Sequence, residues 1–132
     1  MRIYKLRAFA KFARKLRISN NDLRAAVEEI EQGKVEAKLG RFLVKKRWAR
    51  PGKGKRGGFR FVIAYRKNFR TVFLFGFAKS DQDDLSPEQE TKAKVLAEQL
   101  VGRTDEDAEI AVMRAVLDGD LEDITDVEND KA

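Results

Sequence analysis

Three short segments decide what this chain can fold into. Phe42–Ala49 (FLVKKRWA), Phe59–Arg66 (FRFVIAYR) and Thr71–Ala78 (TVFLFGFA) are dense in aromatic and β-branched side chains, which suit the pleated, half-buried surface of a strand. The KNFR stretch, Lys67–Arg70, between the last two has the length of a hairpin turn, so antiparallel pairing is expected. Alternation along the middle segment puts Phe59, Phe61, Ile63 and Tyr65 on one face and Arg60, Val62, Ala64 and Arg66 on the other. The first face is expected to pack on helices and the second to be more open.

Helical periods flank these strands. From Tyr4 onward, Leu6, Phe9, Phe12, Ala13 and Leu16 recur at helical spacing among Lys and Arg, which predicts a cationic amphipathic helix with a core-facing stripe rather than a membrane-binding one. Arg2–Lys5 (RIYK) fits a short strand equally well. Ser19 or Asn20 can cap a second helix carrying Leu23, Ala26, Val27 and Ile30, with Gly33 as its stop. Downstream, Ser86, Pro87 and Gln89 spell a capped helix start, followed by a stripe of Ala93, Leu96, Ala97 and Leu100. Thr104 is the expected cap of a last helix reaching about Leu117, and the acidic end is expected to be ordered at most around Leu121 and Ile124. The fold class is therefore α+β: two N-terminal helices packed on a small antiparallel sheet of three or four strands, followed by C-terminal helices.

Charge is divided along the chain. Residues 1–79 hold 23 Lys/Arg against 5 Asp/Glu, whereas residues 80–132 hold 5 against 17. A basic body points to a polyanionic partner, with the acidic end either solvated or folded back onto the basic surface. Folded back, it would mask the polyanion site, and deletion after Gly102 would raise affinity for that polyanion. The chain has no Cys and no His, which removes disulfides, thiolate chemistry and the usual general base. No apolar run is long enough for a membrane span, and the charged N-terminus does not read as a secretory signal. A cytoplasmic location is expected.

Ala49–Arg60 (ARPGKGKRGGFR) places five basic residues and four glycines ahead of the middle strand. Gly52, Gly54 and Gly57 match G-x-G-x-x-G, but a dinucleotide site needs that pattern to open into a helix, and here a strand follows. No Gly-Lys-Ser/Thr closes the run, so it is not a Walker loop. Lys45, Arg47, Lys53, Lys55, Arg56, Arg60 and Arg66 all lie on or between two adjacent strands. Strands about 4.8 Å apart would hold several of these cations close together, an arrangement that a phosphate chain relieves.

These segments resemble the RelE-type toxins of toxin–antitoxin systems, in particular the RelE/HigB branch. The likeness is carried by LVKKRWARPGKGKRGGFRFVIAYR followed by FLFGFAKSDQDDLS, and by the order of elements. It implies a toxin domain over residues 1–101, with residues 102–132 as an acidic helix and tail extension. It also implies an mRNA endoribonuclease that acts on the ribosome without a metal or other cofactor. In that chemistry a ribose 2′-OH attacks the adjacent phosphate, leaving a 2′,3′-cyclic phosphate and a free 5′-OH. The partners implied are mRNA, the ribosome and a cognate antitoxin, usually a DNA-binding protein.

The resemblance places the catalytic set at Lys45, Arg47, Arg60 and Lys79. Arg60 and Lys79 would meet the scissile phosphate, and Lys45 or Arg47 would move the protons. Lys53, Lys55, Arg56 and Arg66 would grip RNA backbone. Ser80 and Ser86 stand where some relatives carry arginine and tyrosine. Trp48 is expected in the core rather than stacked on a base. Asp81, Asp83 and Asp84 resemble a metal cluster in composition only, since acids ahead of a helix answer its dipole. The competing reading is a non-catalytic binder on the same fold, an RNA clamp or an inhibitor of a target enzyme.

Overall fold

The computed structural model describes residues 1–50 and 58–126. The chain forms β1 (Arg2–Leu6), α1 (Arg7–Lys15), α2 (Asn20–Glu31), β2 (Ala37–Gly40), β3 (Leu43–Trp48), β4 (Phe59–Arg66) and β5 (Arg70–Ala78). Then come α3 (Pro87–Ala97), a π-helical turn (Glu98–Gly102), α4 (Glu106–Leu117) and β6 (Leu121–Asp123). All six strands join one sheet in the order β2-β3-β4-β5-β1-β6. The sheet is mixed and wider than the three or four antiparallel strands expected, because β1 runs parallel to β5 and β6 closes antiparallel on β1. Arg2–Lys5 takes the strand option.

The helix signals hold locally, with one shift. Ser19 caps α2 and Ser86 caps α3, each in a reciprocal capping box, with Asp22 and Gln89 respectively. The cap of α4 is Asp105 rather than Thr104, and Arg103 donates to both oxygens of that carboxylate at 3.0 and 2.9 Å. Arginines also tie down helix C-terminal ends. The Arg7 guanidinium donates to the Asp118 and Gly119 carbonyls after α4, and Arg50 to the Leu16 and Arg17 carbonyls after α1. Such carbonyls have no intrahelical donor, so a cation there satisfies them and meets the negative end of the dipole.

Two cores sit on the two faces of the sheet. On one, α1 and α2 pack Phe9, Ala13, Leu23, Val27 and Ile30 against Val44, Trp48, Phe61, Ile63 and Phe73. Phe9 and Phe61 meet edge to face at 5.2 Å, and Trp48 stacks on Phe61 at 5.5 Å. Trp48 is therefore a core residue, 8% exposed. On the other face, Ala93, Ala97, Val101, Val112 and Leu121 pack against Leu43, Val62, Ala64, Val72 and Leu74. The face of β4 expected to be more open is thus covered by α3, the π-turn and α4. The cause is the length of the C-terminal segment, which supplies a second helical layer where the strand alternation alone shows only one.

A β-bulge sorts the phenylalanines of β5. Val62 pairs with Phe75 and Ile63 with Phe73, so Leu74 is the extra residue. Phe73 consequently joins the α1 side while Phe75 and Phe77 join the α3 side. The same shift turns Gly76 toward α1, where a Cβ would lie 2.2 Å from the Phe12 ring. Only glycine lets that ring lie flat on the strand.

The acidic end is built into the sheet. Leu121 is 2% exposed and Ile124 is fully buried, one in each core. Lys5 pairs with Glu122 at 3.2 Å and Arg7 with Asp120 at 3.2 Å, and Arg2 pairs with Asp123. These carboxylates neutralise β1 and the start of α1, and the sheet order puts β3 and β4 on the far side of β5 and β1 from them. Through Asp126 the end therefore does not mask the Lys45–Arg60 region.

Candidate functional site: cations bridged by carboxylates

The register of the β3–β4 pair builds the site. Arg47 stands directly opposite Arg60, and Lys45 opposite Val62. Alternation then puts Lys45, Arg47 and Arg60 on one face, at the end of the sheet beyond Val62. Facing side chains on paired strands start about 5 Å apart at Cβ, so the two guanidinium stems must either diverge or share an anion. Lys46 goes to the opposite face, where Nζ bonds the Glu29 carboxylate and the Lys34 carbonyl, both at 3.0 Å.

Arg60 and Lys45 share Glu36. Its N–H donates to the Lys45 carbonyl at 2.8 Å, which fixes its backbone beside β3. One carboxylate oxygen then sits 2.6 Å from Arg60 Nε and the other 3.5 Å from Lys45 Nζ. A second carboxylate arrives from the loop after β5: Asp84 Oδ1 lies 3.1 Å from Lys45 Nζ and accepts from the Leu85 N–H at 2.8 Å. The Leu85 N–H first, then the bond to Lys45 and the charges of Lys45 and Lys79, hold the Asp84 carboxyl below its ordinary range. The side chains of Lys45 and Arg60 are each 11% exposed. They form the floor of the group, not an open face. Arg47 is exposed, and with Lys34, Glu36 and Arg60 it lines a cleft of about 400 Å³.

Lys79 joins the group through the same loop. Its N–H donates to the Gly58 carbonyl at 3.2 Å, tying the end of β5 to the start of β4. Its ammonium donates to the Asp83 carbonyl at 3.0 Å. The fold therefore brings Lys45, Arg47, Arg60 and Lys79 to one end of the sheet.

Arg66 lies elsewhere. It donates to the Val101 and Gly102 carbonyls at 3.2 and 3.3 Å and lies over the Phe42 ring at 4.9 Å. Those contacts close the π-turn at the other end of β4. Lys53, Lys55 and Arg56, like Gly52, Gly54 and Gly57, fall outside the described residues. The Asp84 carboxylate meets Lys45, and Asp83 meets Lys79 only through its backbone carbonyl, where the sequence suggested helix-dipole acids.

Sequence reasoning passed over Glu36 and read Asp84 only as an acid ahead of a helix, not as a partner of Lys45. For Glu36 a signal existed: it is the only carboxylate between Gln32 and Ser80, a stretch holding 15 Lys/Arg. Asp84 carried none, because its partner Lys45 is 39 residues away.

Residues 1–124 match the family described as the RelE toxin of the RelE/RelB toxin–antitoxin system. The chain belongs to the RelE toxin family. The match reaches past Gly102, through α4 and β6 to the buried Ile124, so the segment beyond residue 101 is covered by it. Family membership makes this a toxin-type member of a toxin–antitoxin system, for which a cognate antitoxin is the partner. No curated protein matches the chain. Among the described residues, no helix is long and apolar enough to cross a membrane.

Proposed function

We propose that this RelE-family chain is an mRNA endoribonuclease that acts on the ribosome and thereby stops translation. The observation carrying this reading is the convergence of Lys45, Arg47 and Arg60 on one sheet face, with Lys79 at the same end of the sheet, next to a cleft of about 400 Å³ that Arg47 and Arg60 line. Such a group suits a phosphate that gains charge as it is attacked. The ribose 2′ oxygen bonds to phosphorus and the bond from phosphorus to the 5′ oxygen breaks. The 2′-OH proton passes to solvent and Lys45 gives one to the departing 5′ oxygen, regaining it from solvent, so the balance closes without an added reactant.

Arg60 and Lys79 face the phosphate. Lys45, an ammonium in contact with two carboxylates, is placed as a proton donor to the leaving oxygen. Arg47, at the exposed mouth, meets the incoming strand together with the basic residues of the glycine segment. Cytoplasmic residence follows from a ribosomal target.

The test is ribosome-dependent cleavage of a defined message with mapping of the 5′ ends. In-frame cuts ending in 2′,3′-cyclic phosphate support the enzyme. Slowed translation with intact message would make the chain a binder instead.

A further inference from the structure

The cation group contains a carboxylate that a simple phosphate clamp does not need. Glu36 is the lone acid in its 49-residue stretch between positions 32 and 80. It is pinned by its own N–H to the Lys45 carbonyl and divides its two oxygens between Arg60 Nε and Lys45 Nζ. A charge-assisted bond to Nε fixes the plane of a guanidinium, because that nitrogen is the one joined to the stem. The plane of Arg60 is thus set by Glu36, and its Nη1 reaches the Phe59 carbonyl at 3.4 Å. The Glu36 side chain is one-third exposed and lines the cleft beside Arg47.

We infer that Glu36 is a positioning residue: it holds Arg60 and Lys45 as an aimed pair, so that a phosphate entering past Arg47 meets both in fixed orientation. The inference rests on the nuclease reading above. It separates two effects that normally travel together. As a counterion, Glu36 weakens attraction for any polyanion. As a positioner, it raises the rate of cleavage. Neutralising it should therefore leave RNA binding equal or tighter while slowing the chemistry, since misorientation of a reacting group by about 1 Å costs about 100-fold.

The experiment compares wild type, Glu36→Gln and Glu36→Asp in single-turnover, ribosome-dependent cleavage. Affinity is measured alongside with an RNA carrying 2′-deoxyribose at the cut site. Glu36→Gln is expected to lower the maximal rate about 10- to 100-fold with affinity undiminished. Glu36→Asp should recover part of the rate, and adding Glu36→Gln to Arg60→Ala should cost less than Glu36→Gln costs alone. A Glu36→Gln protein that cuts as fast as wild type or faster, while binding RNA more tightly, overturns the inference and leaves Glu36 a mere counterion. If Glu36→Gln does not fold, Glu36→Asp decides: an intermediate rate supports positioning and an unchanged rate refutes it. A wild-type protein that never cuts message removes the nuclease reading itself, and the inference with it, a result independent of any Glu36 variant.

Discussion

Arg47 and Arg60 face each other across the β3–β4 pair, Arg47 exposed and Arg60 nearly buried against Glu36. Under the proposed function Arg60, held by Glu36, meets the phosphate of the transcript. Replacing Arg60 with Ala is expected to reduce cleavage about 100- to 1000-fold, the usual loss for one donor to a charged transition state. The cleavage map, with circular dichroism to confirm folding, checks it.

Arg70 anchors β5 to the C-terminal layer. Both Glu109 oxygens lie 2.8 Å from its Nη2, and its Nη1 donates to the Leu100 carbonyl at 2.7 Å. The Arg70 side chain is 5% exposed, so Glu109→Gln strands a buried guanidinium and should cost about 3 kcal/mol. Arg70→Met, which removes the charge and keeps the volume, should cost less. Urea unfolding midpoints would rank the two, and the reverse order would refute this account.

Gly76 and Phe12 occupy the same space. With a Cβ 2.2 Å from the ring, Gly76→Ala forces α1 off the sheet and should destabilise the fold by about 1–3 kcal/mol. Trimming Phe12 to Leu in the same chain should return part of that loss in thermal unfolding.

The seam between β1 and β6 is sensitive to acid. Burial alone would raise the Asp123 carboxyl, but the hydroxyl and N–H of Thr125 and the Arg2 guanidinium outweigh it and hold Asp123 below its ordinary value. A depressed carboxylate adds stability that is complete above its unfolded value near 3.8 and is lost as pH falls through the lower, folded value. Stability measured from pH 6 downward should therefore drop below about pH 4, and Asp123→Asn should flatten that limb. An identical acid limb in the variant would rule Asp123 out as its source.

Ending the chain at Gly102 removes α4, β6, Leu121 and Ile124, and so opens both cores. The expected outcome is failure to fold, seen as loss of the cooperative unfolding transition. A stable shortened chain with higher RNA affinity and a steeper salt dependence would restore the masking idea that the sequence first suggested.

What the sequence determined by itself was local. The caps at Ser19 and Ser86, the stripe from Leu23 to Ile30 and the alternation of β4 follow from spacing and side-chain shape over a few residues, and the fold realises them. The pairing of Arg47 with Arg60 was within reach as well, since two adjacent strands and their sides could be drawn from alternation. Tertiary structure decided the rest. β1 pairs with β5 across some 68 positions and β6 with β1 across more than 110, and strands of five and three residues leave no periodic trace long enough to read. Order around Leu121 and Ile124 was legible in the acidic end, but not that burying these two side chains would make the segment a strand of the sheet. Glu36 and Asp84 meet Lys45 only after the sheet and the loop following β5 have closed around it. Charge in the sequence announced a polyanion; only folding aimed it.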